Sequence, residues 1–173
     1  MNDNQMAQFQ DLLDKKACEE VILRYARTLD WLDEEGQASC YWPDAHIDYG
    51  FYEGDAAGWI PVVMEIERSS VRRWHICTGI QISIEGDTAQ AECYGLSSGT
   101  GQNAEGILTD TLFGGRYLDE LERREGEWRI SSRRYIADWV HSFPNGLADL
   151  ARAGLNLHAL DIDQPNNPLY RRF

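Results

Sequence analysis

The stretch that decides the fold is Ile107–Val140, ILTDTLFGGRYLDELERREGEWRISSRRYIADWV. Two long segments, Ile107–Glu122 and Glu127–Val140, carry the β-branched and aromatic residues of strands and meet at the turn signal Arg124-Glu125-Gly126. A second hairpin precedes them. Arg73–Ile84 brings Ile76, Ile80, Ile82 and Ile84, turns at Glu85-Gly86-Asp87, and returns through Thr88–Ser97. Between the hairpins, the glycines at 99, 101 and 106 miss the G-x-G-x-x-G spacing, so Ser98–Gly106 reads as a connection rather than a phosphate cradle.

Farther upstream the period changes. Ala17, Val21, Ile22, Tyr25, Leu29 and Leu32 recur at three- and four-residue steps, which predicts an amphipathic helix from about Asp11 to Leu32, interrupted by Gly36. A short helical piece through Ser39-Cys40-Tyr41-Trp42 is expected before Pro43. A strand is expected over Ala45–Phe51, and a second helix opened by Gly54-Asp55, with Pro61 tolerable only in its first turns. Helices followed by long antiparallel strands make an α+β chain. Strands apolar on both sides imply a strongly curved antiparallel sheet that closes over the N-terminal helices as a half-barrel around a cavity. Its other face would lie against an oligomeric partner. The domain is expected to span residues 1–140. Residues 141–173, with Pro144, Gly146, Pro165 and Pro168, form an extension with one short helix at Gly146–Arg152, packed on the barrel or on a neighbouring subunit.

Composition narrows the functions. The chain has 173 residues, 29 acidic against 16 basic, for a net charge of −13, with 43% apolar content. That is enough for one domain with a proper core. The acidity argues against nucleic acid and anionic membrane as partners, and no apolar run approaches the roughly 18 residues of a membrane span. Met1–Met6 has no signal-peptide character, so four reduced cysteines in a cytoplasmic protein are expected. The four histidines show no ligand spacing, so no metal is expected. Asp161-Ile162-Asp163 begins like a calcium loop, but Pro165 and the absence of the required glycine break it.

Asp30 stands beside Leu29, Trp31 and Leu32, and His75 enters the isoleucine-rich strand. Either alone has an ordinary reading, a solvated carboxylate or a satisfied histidine. Together in an apolar cavity they would form a base held by an acid. Arg133 and Arg134 lie mid-strand. One of them facing inward would need an acidic neighbour or a developing negative charge. Tyr25 and Tyr49 are ordinary core residues that could also donate a phenolic proton. There is no G-x-S-x-G motif and no cysteine in a basic setting.

At these residues the chain resembles the SnoaL-like branch of the nuclear-transport-factor-two-like superfamily, especially lindane dehydrochlorinase, scytalone dehydratase and bile-acid 7α-dehydratase. The resemblance runs from about Leu12 to Trp139. It rests on Asp30 at a helix end, the Trp42-Pro43-Asp44-Ala45 turn, His75 to Gly79, Gly114-Gly115-Arg116-Tyr117, and Glu122 to Ile130. It implies a cone-shaped α+β barrel with a deep apolar pocket, often assembled as a homotrimer. It also implies a cofactor-independent elimination on a small hydrophobic cyclic substrate. Asp30 and His75 match the catalytic dyad, and Arg133 matches the electrostatic partner. Simple alternation would put Arg134 on the face of Trp128 and Ile130, unless a bulge at Ser131-Ser132 intervenes. Tyr25 stands where the dehydrochlorinase pattern has Lys, which points toward loss of water, and Tyr49 matches a second tyrosine of the bile-acid pattern. Trp31, Trp42, Trp59 and Trp74 are the candidate pocket walls. The same superfamily also contains polyketide cyclases and ketosteroid isomerases. It further includes the structural β subunits of ring-hydroxylating dioxygenases, a scaffold reading that copurification with a larger Rieske-type chain would favour.

Overall fold

The computed structural model describes residues 2–160, 162 and 167–171; the broken calcium-loop pattern at Asp161, Asp163 and Pro165 falls outside them. Helix α1 (Asp3–Asp30) begins well before Asp11, because Asn2 and Gln5 form a reciprocal capping box. Its first turns are exposed, and the apolar residues they carry, Met6, Phe9, Leu12 and Leu13, are not part of the buried face. From Asp14 onward one face is buried: Cys18, Val21, Ile22, Tyr25, Ala26 and Leu29. Asp14 itself ties the helix to the sheet, accepting hydrogen bonds from Arg123 (2.8 Å) and the Trp128 indole (3.0 Å). Bonds of this kind to a carboxylate contribute about 1.5–3 kcal/mol each.

The helix ends at Asp30, short of Gly36. The next piece, α2 (Glu34–Ala38), is capped by Asp33 and lies upstream of the helical turn expected at Ser39–Trp42. Tyr41 and Trp42 instead open strand β1 (Tyr41–Asp48), followed by the short β2 (Glu53–Asp55). Asp55 caps α3 (Ala56–Arg68), whose buried face is Ala56, Trp59, Ile60, Val63, Met64 and Glu67. Then come β3 (Arg72–Glu85), β4 (Thr88–Gln102), β5 (Leu108–Arg124), β6 (Glu127–Pro144) and α4 (Leu147–Arg152). The glycine-rich connection is therefore mostly strand, since Ser98–Gln102 continue the ladder with Leu108–Leu112. Glu125 and Gly126, both with positive φ, make the two-residue turn of the last hairpin.

The six strands form one sheet in the order β2-β1-β6-β5-β4-β3. It is curled rather than closed, with β2 and β3 as its edges. It is also mixed, not purely antiparallel: β1 runs parallel to β6, from which β2, α3, β3, β4 and β5 separate it along the chain. Helices α1 and α3 fill the concave side. Two bulges decide which residues face them. At Gly79 (φ 62°) the β3–β4 register shifts, so Arg73 and Cys77 are buried before it while Ile80, Ile82 and Ile84 face inward after it. At Ser131 the β5–β6 register shifts between Ile130↔Leu121 and Ser132↔Glu120, and the inward positions change from Trp128 and Ile130 to Arg133 and Tyr135. Among the described residues no helix is long and apolar enough to cross a membrane. Near the C-terminal end, Ile162 is buried and the Tyr170 hydroxyl donates to Asp33.

Candidate active site

Local structure places each charged group of the interior. Helix α1 stops at Asp30 because Leu32 turns left-handed (φ 54°), and the amides of Leu32 and Asp33 close back on the carbonyls of Leu29 and Thr28 at 3.1 and 2.9 Å. A left-handed leucine costs on the order of 1 kcal/mol, which burial of its side chain offsets. The Asp30 carboxylate thereby meets β3. Its Oδ1 lies 2.8 Å from Nδ1 of His75, with the Asp30 side chain 21% exposed and the histidine nearly buried.

The opposite ring nitrogen, Nε2, faces Oε1 of Glu67 at 3.5 Å. Arg73 stands behind that carboxylate, its Nε 3.9 Å from Oε2. Arg73 is fixed by donating to the carbonyls of Ile162 (2.9 Å) and Ser70. Burial pushes Asp30 upward, against the pull of the His75 hydrogen bond. It pushes Glu67 upward too, against the charges of His75 and Arg73. For His75 burial works downward, but the Asp30 hydrogen bond and the Glu67 charge outweigh it, and the pKa lies above the ordinary 6.5.

Tyr25 joins this group to a deeper one, its ring centroid 6.5 Å from that of His75 in an edge-on arrangement. Its hydroxyl donates to that of Tyr117 (3.3 Å), which leaves Tyr49, 3.0 Å away, as donor to Tyr25. Burial holds the Tyr25 and Tyr117 phenols well above 10 and pushes Tyr49 to about 12, so all three stay protonated. Arg133, fully buried, underlies them with its guanidinium carbon 4.0 Å from the Tyr25 ring centroid and 4.5 Å from that of Tyr117. Its Nε and Nη2 bind the two oxygens of Asp119 at 2.7 and 2.6 Å, and Nη1 reaches Tyr41 at 3.2 Å. Arg134 points outward, its side chain 61% exposed and bonded to Asp48. The bulge at Ser131 is the reason the first arginine, not the second, is inside.

The tryptophans divide. Trp59 is buried and stacked on Tyr49, ring centroids 4.3 Å apart. Trp31 is half-buried at the edge of the site, stacked on Tyr170. The structure brings neither of the others to this cluster. Trp74 is 41% exposed on the outer face of β3. Trp42 donates to the Glu122 carbonyl and lies beneath Arg124 and Arg129.

Sequence reasoning did not single out Glu67, Arg73, Tyr117 or Asp119. Glu67 carried a signal, since it follows Trp59, Ile60, Val63 and Met64 at helical spacing on an otherwise apolar face. Tyr117 and Asp119 alternate with Leu121 along β5. Gly95 permits the close approach of Tyr117, for a Cβ there would lie 2.4 Å from Cε2 of the ring. Among the described residues no group of three or more His, Cys, Asp or Glu side chains is placed to hold a metal ion.

The profile of the SnoaL-like domain matches residues 10–134. The chain belongs to that family. Solved structures with the same fold include a scytalone dehydratase-like protein of Novosphingobium aromaticivorans, 17% identical, with a TM-score of 0.69 over 78% of this chain and 90% of that one. Another is the type-3 LinA hexachlorocyclohexane dehydrochlorinase of Novosphingobium barchaimii, 18% identical, TM-score 0.69, covering 88% and 99%. A third is a nuclear-transport-factor-two-like protein with a cystatin-like fold from N. aromaticivorans, 22% identical, TM-score 0.65, covering 89% and 96%. No curated protein matches the sequence. At these identities the structural likenesses establish the SnoaL-like fold, and chemistry must be argued from the side chains.

Proposed function

We propose that this SnoaL-like chain catalyses a cofactor-independent elimination of the dehydratase kind on a small hydrophobic cyclic substrate. The substrate would carry an acidic C–H next to a carbonyl and a neighbouring hydroxyl. The observation that carries the reading is the 2.8 Å contact between Asp30 and Nδ1 of His75 at the concave side of the sheet. In this reading Asp30 fixes the tautomer and steadies the cation that forms, while Nε2 removes the proton. The C–H electron pair moves toward the carbonyl, an enolate develops, and the C–O bond then breaks.

The phenols form a donor chain from Tyr49 through Tyr25 to Tyr117, and the Tyr117 proton, the one not committed within the chain, is the donor for the developing oxyanion. Arg133 acts through them: with Asp119 opposite it, its charge is already matched, and it orders the rings of Tyr25 and Tyr117 rather than meeting a leaving group as a free cation. Positioned acid–base catalysis contributes about 100- to 10,000-fold, so the phenols and the buried charges must supply the rest. The same phenol trio would serve an isomerase-like proton transfer, in which the enolate is reprotonated instead of losing hydroxide.

The test compares wild type with His75→Ala and Asp30→Asn on a panel of cyclic β-hydroxy carbonyl compounds, following product formation by absorbance and mass spectrometry. Both variants are expected to lose turnover. Undiminished turnover in both would remove the dyad, and a product of unchanged mass would favour isomerisation.

A further inference from the structure

We propose that Glu67 is the second carboxylate of this site, a positioning residue that faces the proton-carrying nitrogen of His75 and steadies the imidazolium between proton removal and proton return. The chemistry rests on the elimination reading; the geometry does not.

Three elements converge on the ring. Asp30 comes from α1, Glu67 from α3, and Arg73 precedes His75 on β3, with the Tyr25 ring edge and Cys77 completing the surroundings. Glu67 occupies the buried face of α3, where an ionised carboxylate is costly unless something of opposite charge meets it. Two groups do, Nε2 of His75 at 3.5 Å and Nε of Arg73 at 3.9 Å. Arg73 is held back by the carbonyls of Ser70 and Ile162 and does not close on the carboxylate.

With the ring neutral, two carboxylates against one guanidinium leave a formal negative charge. Once Nε2 takes a proton, the charges balance. The interior is therefore matched to the proton-loaded state. The 3.5 Å gap is too long for a settled hydrogen bond and short enough to close when Nε2 gains a hydrogen. During elimination the substrate C–H proton passes to Nε2 and the C–H pair goes into the enolate; the enolate then forms the new π bond as the C–O bond breaks with its own pair. The departing hydroxide takes the proton back from Nε2 and leaves as water. The ring returns neutral and Glu67 is unchanged throughout.

The experiment is Glu67→Gln, which keeps the shape and removes the charge. It is read by ¹⁵N NMR titration of the His75 ring and by the pH profile of kcat/KM on whichever panel compound turns over. The His75 midpoint is expected to move down, and the acid limb of the rate profile with it. At a pH above both limbs, kcat should fall about 10- to 100-fold with little change in KM. Glu67→Asp keeps the charge on a shorter arm and is expected to move the midpoint only part of the way, which also serves should the Gln variant fail to fold. A His75 midpoint unmoved in Glu67→Gln, or in Glu67→Asp where only that variant folds, overturns the proposal. The NMR titration needs no turnover, so it decides the place of Glu67 even where the whole panel is inert and the elimination reading fails.

Discussion

Asp119→Ala strips Arg133 of both oxygens that hold it. The guanidinium is fully buried, and its bonds to Asp119 at 2.7 and 2.6 Å are the two shortest it makes. After the substitution Tyr41, at 3.2 Å, the Tyr49 hydroxyl and the faces of the neighbouring tyrosines are left to it, none of them charged to match it. Removing one partner of a buried pair costs about 3–5 kcal/mol, because the other charge stays buried and unmatched. Against a typical stability of about 5–15 kcal/mol that is a large fraction. For a chain of this size it corresponds to a fall in Tm of roughly 6–20 °C. Urea unfolding followed by tryptophan fluorescence, with thermal melts followed by circular dichroism, measures both. The double variant Asp119→Leu with Arg133→Met takes both charges out together and should recover most of the loss, since nothing is then stranded. An Asp119→Ala protein within about 1 kcal/mol of wild type would refute the reasoning that this pair holds the tyrosine cluster.

Four further outcomes are expected. His75 is held above its unfolded pKa, so it adds stability below the unfolded value that fades as pH rises through the folded one; the raised Asp30 and Glu67 act in the same sense at lower pH. Turnover runs the other way, because the base must be neutral: kcat/KM should fall as pH drops through a value above 6.5, and a limb at or below 6.5 would contradict this. Gly95→Ala places a methyl carbon where the Tyr117 ring lies, and should cost about 1–3 kcal/mol in a urea melt while loosening the Tyr25–Tyr117 bond. Finally, the outer face of the sheet exposes Trp74, Ile76, Ile136 and Trp139, and the family resemblance implies a homotrimer. Light scattering should give about three times the 19.8 kDa chain mass, and Trp74→Ser with Ile136→Ser should lower it.

Much of the fold was legible because its signals are local. Glu85-Gly86-Asp87 and Arg124-Glu125-Gly126 announce their hairpins through turn chemistry, and Asp55 announces α3 through capping. What escaped depends on events that local patterns do not carry. The parallel pairing of β1 with β6 joins segments distant in the chain. The bulge at Gly79 inverts the parity of inward-facing positions partway along β3; the one at Ser131, expected through the resemblance, does so on β6, where alternation alone read from Trp128 points to the wrong arginine. Glu67 sat in plain helical register with Trp59 and Val63, yet a glutamate near a helix end reads by default as solvated. Trp74 was grouped with the pocket walls on residue type alone, while the pleat beside His75 turns it outward.

The most direct measurement of the central claim is a double-mutant cycle on Asp30 and His75. Residues that act as one unit lose their effect together, so Asp30→Asn and His75→Ala should each lower kcat/KM by about 100-fold or more, and the double variant should fall no further than the worse single. Losses that multiply would mean that the carboxylate and the imidazole act separately, and the 2.8 Å contact would then carry no catalytic meaning.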